Sequence, residues 1–187
     1  MIETILTFVL LAGYFFLEAL FRKRGSAKSM ERGGSDSGST LVLGASYGIA
    51  VALLVVFTIV GVGVIISPVL GWIGIAVMIL GLALRAWSMQ VLGSSYSRTL
   101  KVTGSQSLVV RGPYRIIRHP GYLGSILIWV GAGVAVTNWI AIVSLSLMMI
   151  GVYVYRIQTE ERMLVTAFGT VYSQYQKRSW RLLPPLF

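Results

Sequence analysis

Residues 41–92 read LVLGASYGIAVALLVVFTIVGVGVIISPVLGWIGIAVMILGLALRAWSMQVL, and Arg85 is the sole charged side chain among them. About 20 apolar residues are enough to cross a hydrocarbon core of roughly 30 Å, so this stretch is long enough for two crossings. It divides into spans Leu41–Ile66 and Val69–Leu92, and the turn at Ser67 and Pro68 is tight enough to predict an antiparallel hairpin. Working outward, Ile2–Phe21 is a further span, stopped by Arg22, Lys23 and Arg24. Gly121–Thr137 and Trp139–Tyr155, joined at Asn138, are two short ones. Their shortness leaves a tilted or re-entrant hairpin as the alternative. The expected fold is an all-α integral membrane helical bundle of about five transmembrane helices.

Composition supports this reading. Hydrophobic residues make up 56% and charged residues 12% of the 187, against roughly 25% charged in a water-soluble domain. Sixteen Lys and Arg against six Asp and Glu give a net charge of +10, and their placement separates a nucleic-acid face from a membrane bias. With five crossings, Arg22, Lys23, Arg24, Lys28, Arg32, Arg98, Lys101, Arg111, Arg115, Arg118, Arg156, Arg162, Lys177, Arg178 and Arg181 all fall on one side. Such sidedness is what insertion requires, and it predicts an outside N-terminus, a cytoplasmic C-terminus and no nucleic-acid partner. Residues 25–40 are rich in Gly and Ser and read as an exposed loop. The first span has no basic segment before it and no cleavage site after it, and is expected to be a retained helix.

The chain has no Cys and one His, His119. Disulfides, thiolate ligands and a Cys nucleophile are excluded, and no protein-held metal is expected, because such sites take three or four His, Cys or carboxylate ligands. Neither GxGxxG nor GxxxxGK[ST] occurs. The glycines read instead as helix-packing positions, with Gly44 and Gly48 as a GxxxG pair that permits a homodimer as well as a monomer, and Gly71 with Gly74 or Gly121 with Gly124 as close-approach sites. Glu18 and Arg85 lie at depths where they could pair.

Chemistry-bearing groups concentrate at the cytoplasmic helix ends. Residues 106–124 read QSLVVRGPYRIIRHPGYLG: Gly112 and Pro113 break any helix, Arg115 and Arg118 carry fixed charge, His119 is held extended by Pro120, and Tyr114 and Tyr122 flank them. Residues 156–175 read RIQTEERMLVTAFGTVYSQY, with Glu160 and Glu161 and with Arg156 four positions before Glu160 on one helical face. By composition alone both pieces could be a headgroup-facing rim.

Their order and spacing are more specific. LVxxGxYxxxRHPxYxG, then RxxxEE, then FGxxYxxY resembles the isoprenylcysteine carboxyl methyltransferase family and its phospholipid methyltransferase relatives, over residues 99–185. The resemblance implies an enzyme that takes a methyl group from S-adenosyl-L-methionine, releases S-adenosyl-L-homocysteine, and works in a cytoplasmic pocket formed by the loop before span four, the last span and the C-terminal helix. With the spans read from hydropathy, the chain is expected to divide into three N-terminal membrane helices, 1–92, and a catalytic region, 93–187, containing a cofactor loop, a helical hairpin and a C-terminal amphipathic helix. The resemblance implies a cofactor site of Gln106, Ser107, Leu108, Val109, Tyr114, His119, Pro120, Gly121, Tyr122 and Glu160, with Arg156 facing the substrate and Arg156 and Glu160 as the catalytic pair. Gln106 and Thr99 depart from the residues common in the family at those places.

A sulfonium, an ammonium and a carboxylate need an anion, one or two cations or donors, and an apolar or aromatic wall, which Glu160, His119 with Arg118, and the tyrosines can supply. A carboxylate acceptor suits Arg156 as a bidentate clamp; an amine suits Glu160 or Glu161 as a base. Carboxyl O-methylation of an isoprenylcysteine-like or other isoprenoid carboxylate is the expected reaction. N-methylation of a phospholipid head group is the alternative, and a non-catalytic channel, carrier or assembly partner is the reading from another class. The expected partners are membrane lipids and a lipophilic acceptor, in a prokaryotic plasma membrane, or the endoplasmic reticulum if the source is eukaryotic.

Overall fold

The computed structural model describes residues 2–24, 38–93 and 108–184. Helices α1 (Ile2–Arg24), α2 (Ser39–Val60), α3 (Pro68–Leu92), α4 (Pro120–Ala135), α5 (Trp139–Phe168) and α6 (Thr170–Gln176) follow in order, with a 3-10 turn at Gly112–Arg115. Four of them, α1, α2, α3 and α5, are long and apolar enough to cross a membrane, and α4 is a shorter apolar helix. The chain is an integral membrane helical bundle.

The shortness of α4 has a packing reason. It touches α1, α2, α3 and α5, and residues on every face of it are buried, Ile128, Trp129 and Ala132 completely. A helix wrapped by protein is apolar all round and need not match the bilayer by its own length. Its tightest neighbour is α3, which it meets backbone to backbone. A Cβ added at Gly74 would lie 2.7 Å from the Gly131 carbonyl oxygen and 2.2 Å from the Ala135 nitrogen, and one at Gly81 would lie 2.7 Å from the Gly124 carbonyl oxygen. Gly74 opposes Gly131 and Gly81 opposes Gly124, so the two helices run antiparallel with contacts two turns apart. Lipid tails give no hydrophobic drive to helix association, so this close van der Waals approach carries the pairing.

Three expectations change. The second span ends at Val60, and residues 61–67 form a turn rather than more helix. The turn is held at its far end: Gly61 and Gly63 have φ of 70° and 85°, Ile65 N–H donates to the Thr137 carbonyl at 2.7 Å, and the buried Asn138 amide donates to the Val62 carbonyl at 2.7 Å. Asn138 also caps α5, its Oδ1 accepting from the N–H groups of Ile140 and Ala141. With the turn pulled toward the α4–α5 corner, α2 packs on α5 and α3 on α4, so the anticipated hairpin partners are not neighbours along their lengths. Second, the last span does not stop at Tyr155. It continues unbroken to Phe168, because no Gly or Pro interrupts residues 152–168. Third, Gly44 and Gly48 pack no helix of their own chain, with nothing within 4 Å of an added Cβ, and stay open as the face a homodimer would use, whereas Gly71, Gly74, Gly121 and Gly124 are all in close contacts.

Most polar groups inside the bundle are paired, the buried Trp129 Nε1 being one that has no hydrogen-bond partner among the described residues. Arg85 reaches Glu18 through Nε at 2.8 Å and Nη2 at 2.7 Å, as their depths suggested. Deeper in the bundle, the hydroxyl of Tyr47 joins Tyr14 at 2.6 Å and Tyr153 at 2.5 Å, and Tyr14 also meets Ser125 at 3.2 Å. Trp72, Trp87, Trp139 and Trp180 are about half exposed, as a belt at the interfaces requires, but Trp129 is fully buried and stacked on Tyr47.

Adding one methyl group separates the two kinds of glycine. Gly81→Ala should destabilise the detergent-solubilised protein by about 1–3 kcal/mol, as forced overpacking does, and lower its melting temperature. Gly48→Ala should leave it unchanged or slightly raised.

Candidate functional site

At about 1.5 Å per residue, a 30-residue helix is longer than the roughly 20 residues that fill a bilayer core, so the C-terminal third of α5 projects beyond it. Arg156, Thr159 and Glu161 lie buried near and on this extension. The start of α4 faces them. Pro120 opens that helix, and His119 precedes it with φ −124° and ψ 53°, which is not the extended conformation expected before a proline; both His119 and Tyr122 project from this corner.

The C-terminal segment closes the other side. Trp180 N–H donates to the Ile116 carbonyl at 2.9 Å, Arg118 N–H to the Trp180 carbonyl at 2.7 Å, and His119 N–H to the Arg181 carbonyl at 3.2 Å, a short parallel pairing of residues 116–119 with 180–181. Tyr175 Oη donates to the Tyr114 carbonyl at 2.5 Å. Burial pushes the Tyr175 phenol up to about 12, so it remains a donor. The 3-10 turn, α4 and α6 are thus tied together.

At the centre are two adjacent acids with different partners. Glu161 Oε1 accepts from Arg118 Nε at 2.8 Å and lies 3.3 Å from His119 Nε2, and Glu161 Oε2 accepts from Arg181 Nε at 3.0 Å. Arg118 Nη1 goes on to the carbonyls of Gln176, at 3.0 Å, and Ser179. Burial alone would raise the Glu161 carboxyl, but hydrogen bonds from His119 and Arg118 outweigh it and bring it down to about 2. Glu161 is a fixed anion that binds the tail to the bundle. Glu160 is more open: its Oε2 accepts from Tyr122 Oη at 2.5 Å and lies 3.7 Å from His119 Nδ1. Tyr122 Oη also accepts from Arg156 Nε at 3.3 Å, so one hydroxyl links Arg156 and Glu160. Arg156 Nη1 donates to Ser39 Oγ and Thr40 Oγ1 at the start of α2, both at 2.9 Å. The His119 and Tyr122 rings are parallel, 5.5 Å apart, and Tyr153 lies 5.2 Å beyond Tyr122. Together these supply an anion, cations and an aromatic wall.

His119, Tyr122, Arg156 and Glu160 are therefore brought together. Tyr114 is buried beside α6, and Leu108 and Val109 are half-buried in the stretch leading to the 3-10 turn. Pro120 is buried at the corner, while Gly121 turns its open side toward Arg85 and Ser88 of α3. Gln106, Ser107 and Thr99 lie outside the described residues. By sequence Glu161 stands beside Glu160 as an alternative base, and nothing there singles out Arg181 or Tyr172 for a role. The pairing of RH with EE was a usable signal for Glu161; for Tyr172 only the FGxxYxxY motif pointed there. Tyr172 is 1% exposed, and its hydroxyl has no hydrogen-bond partner among the described residues. Residues 44–48, GASYG, also spell the GxSxG string of hydrolases, which needs a strand-to-helix turn. Here the string is helical and Ser46 Oγ donates to the Leu43 carbonyl at 2.8 Å, so it provides no nucleophile elbow. No group of three or more His, Cys, Asp or Glu able to hold a metal occurs among the described residues.

Glu161→Gln should cost about 3–5 kcal/mol, since it leaves the buried Arg118 without its counter-ion. The carboxyl is easier to ionise folded than unfolded, so its stabilisation is fully present above its ordinary value of 4.5 and is lost as the pH falls toward 2. The gap in melting temperature between wild type and Glu161→Gln should accordingly narrow on acidification.

Residues 72–166, about half of the chain, match the model of the isoprenylcysteine carboxyl methyltransferase (ICMT) family. The match begins within α3, earlier than the motifs alone indicated, and stops before FGxxYxxY. Similar proteins include a protein-S-isoprenylcysteine O-methyltransferase of Dictyostelium discoideum, 30% identical over 62% of this chain and 49% of that one. Another is from Schizosaccharomyces pombe, 35% identical over 53% of this chain and 43% of that one. The chain spans about half the length of these relatives. The solved structure of the eukaryotic intramembrane Ras methyltransferase ICMT superposes with a TM-score of 0.69 at 23% identity, covering 97% of this chain and 68% of that one, which establishes a shared fold. The chain belongs to the isoprenylcysteine carboxyl methyltransferase family.

Proposed function

We propose that the protein is a membrane methyltransferase that uses S-adenosyl-L-methionine to methylate a carboxylate on an isoprenylcysteine-like or other isoprenoid acceptor. The observation that carries this reading is the Arg156–Tyr122–Glu160 chain beside the stacked His119 ring. The family membership and the names of the relatives support the same chemistry. In this reading the catalytic region is 93–187, carried by the helices of 1–92, and the site lies on the cytoplasmic side.

The donor set fits the cofactor. Glu160 is the acid not tied up by arginines and takes the ammonium, the His119–Tyr122 face lies against the nucleoside or sulfonium, and Tyr114, Pro120 and Gly121 shape the pocket with Leu108, Val109 and the stretch containing Gln106 and Ser107. When bound, the cofactor supplies a methyl group made reactive by its sulfonium. Opposite charges cancel as the methyl passes to a carboxylate, so holding the partners in line and dry matters more than a strong base.

Arg156 performs the holding. Its guanidinium is buried, fixed by Ser39, Thr40 and Tyr122, and able to take one carboxylate oxygen while the other points at the methyl. Glu161 is already committed to Arg118 and Arg181, and in this reading Glu160 is given to the cofactor's ammonium, so neither acid is left as an amine's base, which favours the carboxylate over a phospholipid amine.

The test is methyl transfer from labelled S-adenosyl-L-methionine into a farnesylcysteine derivative and, in parallel, into phosphatidylethanolamine vesicles. Label in the carboxyl ester is expected; label in the amine alone makes the head-group reaction the function, and label in neither with no cofactor affinity leaves the non-catalytic reading. Arg156→Ala should keep cofactor affinity while kcat/KM for the acceptor falls at least about 100-fold, the size expected for a lost buried charge-assisted contact. Glu160→Ala should lose cofactor affinity itself, read by calorimetry.

A further inference from the structure

Arg156 is the side chain on which the carboxylate reading turns, and its orientation is set from outside its own helix. Its Nη1 donates to Ser39 Oγ and Thr40 Oγ1, both at 2.9 Å, while its Nε reaches Tyr122 Oη at the longer distance of 3.3 Å. The two α2 hydroxyls stand 117 and 116 positions away in the chain. Ser39 is 1% exposed and Arg156 2%, so water competes little for these bonds, and hydrogen bonds from a charged donor are the stronger kind. Ser and Thr at a helix start ordinarily turn their oxygens on the first-turn N–H groups; here both accept from a guanidinium on α5. Nη1 carries two N–H groups, one for each hydroxyl. A planar fork held at Nη1 by α2 and at Nε by α4 cannot rotate without breaking a bond.

Neither Ser39 nor Thr40 belongs to the motifs that mark the site, and both precede the matched residues 72–166 of the family model. By sequence they end the Gly- and Ser-rich stretch 25–40 and read as loop. In the structure they open α2, which packs on α5.

We propose that Ser39 and Thr40 are positioning residues for methyl transfer: their hydroxyls set the plane of the Arg156 guanidinium, and through it the aim of the acceptor's carboxylate. This deepens the methyltransferase reading and rests on it. A bidentate clamp directs its ligand only as well as its own plane is fixed, and displacement at a methyl carbon needs the attacking oxygen in line. Hydroxyls supply direction without adding an opposite charge. Removing them leaves a guanidinium that still attracts the carboxylate but no longer holds it in line, so the loss falls on turnover rather than on acceptor binding. No bond is made or broken at either residue. The helices of 1–92 then do more than carry the catalytic region, because α2 completes its geometry.

The experiment is steady-state methyl transfer from S-adenosyl-L-methionine to a farnesylcysteine derivative by detergent-solubilised wild type, Thr40→Val, Thr40→Ser and Ser39→Ala/Thr40→Val. Calorimetric titration with S-adenosyl-L-homocysteine accompanies it, and melting temperatures check that each variant is folded. Thr40 is half-buried and gives the milder variants: Thr40→Val keeps the shape and drops the hydroxyl, whereas Thr40→Ser keeps the hydroxyl and drops a methyl. kcat should fall roughly tenfold in Thr40→Val and further in the double variant, the scale of hydrogen bonds to a charged group. KM for the acceptor and affinity for S-adenosyl-L-homocysteine should stay close to wild type in both, and Thr40→Ser should turn over at close to the wild-type rate. A role in packing alone would damage Thr40→Ser and spare Thr40→Val. Unchanged kcat in the double variant overturns the proposal, as does a loss confined to KM, an equal loss of kcat in Thr40→Ser, or cofactor affinity that falls in step with turnover. If the folded wild type transfers no methyl to the farnesylcysteine derivative, the methyltransferase reading fails first and takes this proposal with it.

Discussion

The backbone contact between α3 and α4 is the constraint on which the other features depend. Because Gly74 meets Gly131 and Gly81 meets Gly124 without side chains between them, α4 sits deep enough to be surrounded by α1, α2, α3 and α5. That depth fixes where its N-terminal corner emerges, and the corner carries His119 and Tyr122. A wider α3–α4 separation would move both rings away from the acids of α5, whatever the residues of the site themselves were.

A second constraint is electrostatic. Two neighbouring carboxylates on one helix would repel each other if left alike. Here Glu161 is neutralised by Arg118 and Arg181, while Glu160 meets a phenol and a histidine edge. One acid thereby becomes structural, while the other is held by a phenol and has no arginine partner among the described residues. Adjacent residues of the same type acquire different work from their partners alone, a general way in which environment assigns roles to carboxylates.

Much of this was legible in the sequence. The apolar runs showed the helices because lipid demands long uninterrupted ones, and depth made a Glu18–Arg85 pair possible, which the structure forms. The motif strings brought His119, Tyr122, Arg156 and Glu160 to one place before any coordinate did. What did not read through was tertiary. That α2 leans on α5 depends on Asn138 gripping the 61–67 turn from 76 positions away, and no local pattern encodes that. The extent of α5 was misjudged because a hydropathy boundary at Tyr155 marks where lipid ends, which is a different matter from where a helix ends. Gly44 and Gly48 looked like packing residues by spacing, but spacing does not say which way a face points. The tail pairing of Trp180 with Ile116 and Arg118 left no sign, since it uses backbone groups that every sequence possesses.

The unbroken course of α5 has a mechanical consequence. A membrane helix longer than the bilayer adapts to thickness by tilting as a rod. Arg156, Glu160 and Glu161 sit on one such rod with no Gly or Pro joint among them, so tilt carries all three together and leaves their mutual spacing intact. The geometry of the acid pair and the guanidinium is insulated from the thickness of the lipid around it, and the compliance of the molecule is displaced to the ends of that rod: Asn138 at one, Gly169 at the other.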